Sequence, residues 1–340
     1  MLRHNGAVSM GGGMQVDGDV SMDGELKTLV SIGNEGRATP LRSTVVAGNP
    51  TTDGKVAVLD LDDFLVNRSL GGLTGGGENP IALFREKIDR VIEDPSVRAV
   101  VLRINSPGGG VTASDIIAHE LTRLRSQRNL PIAASVLSVG TGGAYYVATA
   151  CDTIVAHPTS IVGGVGVILN VYNLQDTMGQ FNVLSSPIKS GEKIDAGTPE
   201  RPIGEEEMEM LQQIADAFHD RFIQWVQTRR PQASGFVDQW SDGRVVTGPR
   251  ALELGLIDQI GYLDAAIDWA KQQAGLDADG AVVMYRRDND PAYTALDSMA
   301  GQPSLTPLIP LRIPGLDRSS MPTFLYMWQA DPAMASLAQP

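Results

Sequence analysis

The chain has a single cysteine, Cys151, in 340 residues, so no disulfide can form within it. Its four histidines are scattered, without the i,i+4 pairs or adjacent carboxylates that zinc sites use, and we expect neither a metal nor a cofactor. No apolar run approaches the roughly 18 residues needed to cross a bilayer, and no segment near the N-terminus resembles a signal peptide. These absences predict a location in the cytoplasm or at the periphery of a membrane.

Positive charge is also scarce. The chain has 27 basic residues against 40 acidic ones, which gives a formal net charge of −13. This balance argues against nucleic acid as a partner, and against binding to an anionic membrane by charge alone. Apolar residues make up 42% of the chain, which is ordinary for a globular protein with a sizeable core.

Composition divides the chain into three segments. Residues 1–53 are rich in glycine, methionine, aspartate and serine, and we predict a flexible leader there. Residues 54–287 carry the periodic patterns of an ordered domain. Residues 288–340 form a Pro-rich C-terminal tail, in which the prolines exclude regular structure over most of the length. Within this tail, residues 324–328 are apolar enough to dock on a neighbour.

The ordered domain alternates short apolar runs with helical patterns. Strands are predicted at 55–61, 97–104, 130–137 and 152–156, with helices between them. This alternation predicts an α/β fold with right-handed crossovers and a mostly parallel sheet. Beyond Gly191 the pattern becomes mainly helical, and only one further strand is predicted, at 281–285.

A glycine-containing loop, Asn105-Ser-Pro-Gly108-Gly109, directly follows the second predicted strand. Glycines at such a turn allow backbone N–H groups to point together into a cleft, which is how an oxyanion hole is built. A tight turn that simply needs glycine explains the same residues. The loop by itself therefore leaves both interpretations open.

Five ordered stretches together resemble the signal peptide peptidase (SppA-type) serine peptidases, relatives of the ClpP and crotonase fold. They are 105–109, 143–148, 154–158 with 163–167, 190–191 with 195–196, and 243–248 with 255–258. The resemblance extends from about residue 55 to residue 275. It implies repeated β-β-α units around a mostly parallel sheet, with a helical C-terminal part and irregular tails. It also implies the proteolysis and signal-peptide-degradation class of function.

The resemblance implies a Ser–Lys dyad, in which a serine attacks the substrate carbonyl and a desolvated, neutral lysine accepts its proton. Aligning Tyr145-Tyr146 with the paired tyrosines of the family places Gly142 at the serine position. Aligning the stretch 190–196 places Ile194 at the lysine position. Neither glycine nor isoleucine can perform its step, so we expect the chain to be catalytically impaired.

Neighbouring residues suggest an alternative. Thr141 adjoins the serine position, although one residue of helix rotates a side chain by about 100°. Lys193 adjoins the lysine position, although one residue of extended chain reverses the face. Ser138 lies slightly earlier and is better interpreted as a strand-end hydroxyl. The alternative hypothesis is an active serine-type endopeptidase that uses Thr141 or Ser138 with Lys193.

A third and weaker hypothesis is acyl-CoA chemistry of the crotonase type, which needs a carboxylate pair that the turn around Gly142 does not offer. The leading hypothesis is a peptidase-fold protein without peptidase chemistry. Gly108, Gly109 and Gly143 are its predicted oxyanion and peptide-binding residues. We expect it to bind extended peptides or signal-peptide remnants as a peptide-binding or scaffold member of a homo-oligomer, or of an assembly with an active paralogue.

Overall fold

The computed structural model describes the strands at 6–10, 14–20 and 26–30, and residues 39–68, 78–288, 290, 292–297 and 324–328. The chain divides into two compact units, residues 1–40 and residues 41–340. Most of the predicted Pro-rich tail lies outside the described residues.

Three antiparallel strands form the sheet of the first unit. They are β1 (Gly6–Met10), β2 (Met14–Val20) and β3 (Leu26–Val30), with β2 in the middle. The segment for which we predict a flexible leader therefore contains paired strands. Apolar and polar residues alternate along β2 as in a strand, but its glycine and aspartates, which are depleted in strands, obscure the pattern.

The second unit contains the other strands and all the helices of the described residues. The strands are β4 (Arg42–Ala47), β5 (Lys55–Leu65), β6 (Val97–Gly110), β7 (Ile132–Thr141), β8 (Thr153–Ala156), β9 (Ile161–Gly163), β10 (Val245–Thr247), β11 (Gln259–Ile260), β12 (Ala281–Arg286) and β13 (Leu325–Met327). The helices are α1 (Pro80–Glu93), α2 (Val111–Arg128), α3 (Gly143–Ala148), α4 (Gln175–Gln180), α5 (Glu205–Arg229), α6 (Gly248–Glu253) and α7 (Leu263–Ala274), with a 3₁₀ helix at Pro231–Gln239. Within the part of the chain that the structure describes, no helix combines the length and apolar character needed to cross a membrane.

The described strands of the second unit form one ten-stranded sheet. Its main path runs β10-β9-β7-β6-β5-β12-β4, with β8 beside β7, β11 beside β8 and β13 beside β6. The pairs from β12 through β5 and β6 to β7 are parallel, as are β7–β8, β7–β9 and β8–β11. Antiparallel pairing is limited to β4, β10 and β13. The predicted α/β fold with a mostly parallel sheet is confirmed.

Strand β6 shows why the sheet can be predicted from apolar runs. Val100 and Leu102 pack on one face with Ile88 of α1 and Ile117 of α2. Val101 packs on the opposite face, which α7 covers. A strand buried on both faces needs apolar residues at nearly every position, so it stands out as a continuous run.

The end of β6 differs from the prediction. The sequence predicts a tight loop after Ile104, but the strand continues to Gly110. Leu65 of β5 and Tyr326 of β13 both pair with Gly109, one on each side. The local glycines and proline favour a loop. Pairing with strands from distant parts of the chain overrides this local preference.

Three neighbouring strands share a buried charge cluster of Asp60, Arg103 and Arg286. The guanidinium groups lie 2.7 Å (Arg103) and 3.1 Å (Arg286) from the Asp60 carboxylate. Each has a second carboxylate partner, Asp62 at 3.4 Å from Arg103 and Asp290 at 2.9 Å from Arg286, and this pairing offsets the cost of burying the charges. Burial, together with the nearby charge of Asp60, raises the pKa of Asp62 to about 6. Arg103 also donates to the carbonyl of Ala295 at 2.8 Å, which ties the chain after β12 to the sheet.

Candidate active site

The candidate site lies at the carboxyl ends of β6 and β7. In parallel α/β sheets the loops at this edge converge, and ligand sites commonly form there. Strand β6 ends at Gly110, immediately before α2, and β7 ends one residue before Gly142 and α3. The two motifs meet closely, because a Cβ atom built on Gly108 would lie only 2.7 Å from the backbone nitrogen of Gly143.

Gly142 has the backbone of a nucleophile turn without the side chain. It stands at the sharp strand-to-helix turn with φ +54° and ψ −124°, a conformation that is strained for residues with a Cβ atom. A strained turn of this kind is where a nucleophile elbow holds its serine. The turn is fixed by the Gly142 N–H, which donates to the carbonyl of Gly163 at 2.9 Å.

The predicted oxyanion loop is ordered by Ser106. Its buried hydroxyl donates to the carbonyl of Asp63 at 2.5 Å and accepts from the Gly108 N–H at 3.1 Å. The N–H of Gly108 therefore already has the Ser106 hydroxyl as its hydrogen-bond acceptor in this structure. Gly109 lies in the strand ladder between β5 and β13.

Strand β13 occupies the cleft between the glycine loop and Ile168. It runs antiparallel to β6, with Tyr326 opposite Gly109, and it forms an antiparallel bridge to Ile168 on its other edge. Leu325 and Ile168 exchange two backbone hydrogen bonds, of 2.9 and 3.0 Å. The Trp328 N–H donates to the carbonyl of Pro107 at 3.3 Å. A short extended segment is thus held by its backbone on both sides.

The backbone of Tyr326 lies against the predicted nucleophile position. A Cβ atom on Gly142 would overlap the carbonyl oxygen of Tyr326 and lie 2.6 Å from its carbonyl carbon. A Cβ atom on Gly108 would overlap the same oxygen. The glycines of both motifs therefore make room for one peptide carbonyl.

The side chain of Tyr326 fills an aromatic pocket next to this carbonyl. Its ring centroid lies 4.5 Å from that of Phe222 on α5 and 5.7 Å from that of Tyr146 on α3. Its hydroxyl donates to the carbonyl of Phe218 at 2.7 Å. The stacking of Tyr146 on Trp225, with centroids 4.6 Å apart, supports one wall of the pocket.

The alternative hydroxyls are placed differently from each other. Thr141 is buried, and its hydroxyl donates to the carbonyl of Pro107 at 3.1 Å. Ser138 is exposed, four residues before the turn at Gly142. Within the described residues, neither hydroxyl forms a hydrogen bond with a lysine amine.

The predicted lysine position lies on an arm, residues 170–203, between β9 and α5. Ile194 is 72% exposed on this arm. The neighbouring Lys193 forms an ion pair of 2.6 Å with Glu206, and this hydrogen bond raises the pKa of the lysine. A neutral lysine base needs its pKa lowered, so the environment of Lys193 acts in the opposite direction.

Ion pairs attach the arm to the start of α5. Arg201 contacts the carboxylates of Asp195 at 2.8 Å and Glu207 at 2.6 Å, and Lys189 contacts Asp195 at 2.9 Å. These partners hold the pKa of Asp195 well below its usual range. The Asp195 that aligns with the family motif is therefore an arm-stabilising carboxylate here.

Comparisons with known proteins identify the family of this chain. The model of Peptidase family S49 matches residues 125–277. A putative signal peptide peptidase SppA from Enterococcus faecium is 32% identical over 205 residues, covering 60% of this chain and 59% of that protein. A putative protease from Synechocystis is 32% identical over 244 residues, covering 70% of this chain and 87% of that protein. The chain belongs to the SppA-type peptidases of family S49.

Other similarities are more distant. Protease 4 from Haemophilus influenzae is 26% identical over 272 residues, covering 77% of this chain but only 43% of that protein. Among solved structures, the membrane-bound stomatin-specific protease 1510-N covers 62% of this chain at 13% identity, with a TM-score of 0.38. Several relatives are thus matched over only part of their length.

The sequence predicts the turn at Gly142 and the glycine loop, but it does not predict that strand β13 lies beside them. Leu325 to Met327 and the pocket residues Phe218 and Phe222 are far away in the sequence. The apolar run at 324–328 within the Pro-rich tail predicts that this segment docks on the protein, but it does not predict the site at which it docks.

Proposed function

We propose that this chain is a peptide-binding member of family S49 that has lost its peptidase chemistry. The observation that carries the proposal is the position of Tyr326, whose carbonyl carbon lies 2.6 Å from where the Cβ atom of a residue at 142 would stand. A peptide backbone is held where a nucleophile would attack, and Gly142 supplies no hydroxyl. Binding of extended peptides needs only the backbone edges of the glycine loop and Ile168, which pair with β13 in this structure.

The surroundings of the base position support the same proposal. Ile194 cannot accept a proton, and the ion pair of Lys193 with Glu206 keeps that lysine charged. Thr141 donates its hydroxyl to a backbone carbonyl, so the parts of the alternative dyad have other partners. These contacts favour peptide binding without cleavage over an active endopeptidase.

Restoring both positions tests the proposal. Gly142→Ser/Ile194→Lys is expected to cleave a casein-type substrate, whereas the parent chain is not. The parent chain retains the turn at Gly142 and the cleft between the glycine loop and Ile168, which we call the groove, and it lacks only the reacting groups. The matched control is Gly142→Ser/Gln180→Lys, which adds a lysine at an exposed polar position of the arm.

The measurement is the release of labelled casein fragments over time. Cleavage by the parent chain would contradict the proposal that its peptidase activity is lost. A folded double variant that cleaves no faster than its control would contradict the retention of the groove.

We also propose that the arm associates with a second copy of this chain. Its apolar side chains stand in water: Phe181 is 75% and Leu184 90% exposed, and Ile188 is fully exposed. Ion pairs at Asp195 and Arg201 hold this apolar surface in an ordered arm. A neighbouring copy would remove these side chains from water, and would also desolvate position 194.

Leu184→Asp is expected to reduce the oligomer to smaller species, since it places a charge in the apolar surface of the arm. Light scattering after size-exclusion chromatography measures the mass. Leu296→Asp, at an exposed leucine outside the arm, is the control and is expected to leave the mass unchanged. A parent chain that is monomeric at tens of micromolar, or a Leu184→Asp variant of unchanged mass, contradicts the proposal.

A further inference from the structure

Residues 292–297 follow β12, and we call them the strap. Two buried arginines fasten the strap to the sheet. Arg103 of β6 donates to the carbonyl of Ala295 at 2.8 Å, and Arg286 of β12 donates to the carbonyl of Asp297. The side chains of both arginines are at most 2% exposed. The attachment of the strap therefore depends on charged groups inside the protein.

Apart from these bonds, the strap buries few side chains. Ala292 is buried in the core cluster that includes Val58 and Met284. Tyr293 and Leu296, in contrast, are 79% and 66% exposed. A segment with so little apolar burial opens at a lower free energy than the core strands. The bonds from the two arginines consequently decide how often the strap opens.

Two carboxylates compete for one of these arginines. Asp60 and Asp62 lie two residues apart on β5, so their side chains share one face of the sheet. Both approach the same nitrogen, Nη2 of Arg103, at 2.7 Å from Asp60 and 3.4 Å from Asp62. The Asp60 side chain is 2% exposed and that of Asp62 is 15% exposed. When two carboxylates share a site, one of them binds a proton more tightly than usual. Asp62, which is more distant from the arginine, is that carboxyl.

Charged groups on four neighbouring elements face this carboxylate pair. They are Asp63 of β5, Arg103 of β6, Lys87 of α1, and Arg286 of β12 with its partner Asp290. Lys87 and Arg286 approach Asp60, at 3.4 and 3.1 Å. Burial and the charge of Asp60 outweigh the effect of the cations on Asp62, and they raise its pKa to about 6.

We infer that the strap is a proton-dependent latch, which is held more tightly when Asp62 is protonated and opens more often when Asp62 is ionised. The carbonyl of Ala295 and the carboxylate of Asp62 contact the same guanidinium group, so opening of the strap brings water to Asp62. It also brings water to the buried Nε–H groups of both arginines, which have no acceptor among the described residues. The inference does not depend on the proposed peptide-binding function.

Proton linkage gives the direction of the effect. With the strap closed, the pKa of Asp62 is about 6, compared with 3.8 for an ordinary aspartate. The closed state therefore binds the proton more tightly than the open state. The stabilisation that the proton supplies is complete below the ordinary pKa, and it is lost as the pH rises through about 6. With these two values, the strap opens about tenfold more often at pH 7.5 than at pH 5.

Hydrogen exchange of the full chain tests the inference. The N–H groups of Tyr293 and Thr294 donate to the Asp297 carboxylate, at 2.6 and 2.7 Å, and Arg286 holds the carbonyl of Asp297. Release of the strap is therefore expected to free both N–H groups. After correction for the intrinsic pH dependence of exchange, we expect their opening to be about tenfold more frequent at pH 7.5 than at pH 5.

Asp62→Asn carries an uncharged side chain of nearly the same shape. Its strap is expected to open equally often at both pH values, and at least tenfold less often than that of the parent chain at pH 7.5. Asp53→Asn, at an exposed aspartate before β5, is the matched control and is expected to respond to pH as the parent does. Opening that is independent of pH in the parent overturns the inference, as does a pH dependence that Asp62→Asn retains.

A titration of the unaltered chain keeps the test decisive if Asp62→Asn does not fold. The side-chain carboxyl carbon of Asp62, followed by NMR, is expected to titrate with a midpoint near pH 6. The exchange of Tyr293 and Thr294 is expected to change over the same pH range. A midpoint at or below the ordinary value of an aspartate, or exchange that changes in a different range, overturns the inference.

Discussion

Hydrolysis of a casein-type substrate by this chain is expected to be about 10⁶-fold slower than by a family member with an intact Ser–Lys dyad. A serine peptidase without its nucleophile keeps only the acceleration from binding and the oxyanion hole, about 10³–10⁴-fold over water. In the proposed function, Gly142 stands at the position of the nucleophile and Ile194 at the position of the base, and the two losses would not be additive because these groups act as a unit.

Initial rates of the two purified proteins on the same substrate give the ratio. Lys193→Ala is measured as a second variant, because it removes the lysine of the alternative dyad while leaving the groove in place. The residual rate is expected to be the same in this variant and in the parent. A parent rate within about 100-fold of the active member, or a large loss in Lys193→Ala, contradicts the prediction.

Gly142→Ser alone is expected to expel strand β13 from the groove. The new Cβ atom would overlap the Tyr326 carbonyl oxygen and lie 2.9 Å from the Cα atom of Met327, and these are backbone atoms that cannot rotate away. The positive φ adds strain of about 1–3 kcal/mol. Loss of the strand also uncovers the aromatic pocket around Phe222, so the free energy of unfolding falls further.

The measurement is hydrogen exchange at Leu325 and Trp328, which is expected to accelerate at least tenfold in Gly142→Ser. Gly235→Ser is the matched control, since a Cβ atom there meets no atom within 4 Å. It is expected to exchange like the parent. Unchanged protection of the two amides in Gly142→Ser would mean that the strand and a side chain at 142 coexist, contrary to the geometry described here.

How much of the fold could be predicted depends on where each strand finds its partners. The run at 97–104 is apolar because β6 is buried on both faces, and such a run is visible without knowledge of the neighbours. β9, β10 and β11 have only 3, 3 and 2 residues, and their positions, like that of β4, depend on pairing with distant strands. The sequence therefore predicts the centre of the sheet better than its edges.

The candidate site divides in the same way. The aligned tyrosines place Gly142 at the turn, and the structure gives that residue the positive φ of such a turn. The exposure of Ile194 and the ion pair of Lys193 follow from how the arm meets α5, which local sequence does not encode. Residues 324–328 are visible as an apolar run, but their position beside Gly108 follows only from tertiary pairing.

We propose that a peptide groove persists around a turn that no longer carries a nucleophile. Intact-mass spectrometry after treatment with a fluorophosphonate probe tests it most directly, because the probe reacts with activated hydroxyls. We predict no added mass on the parent chain, and one adduct at position 142 on Gly142→Ser/Ile194→Lys. An adduct on the parent chain, mapped to Thr141 or Ser138, would contradict the account.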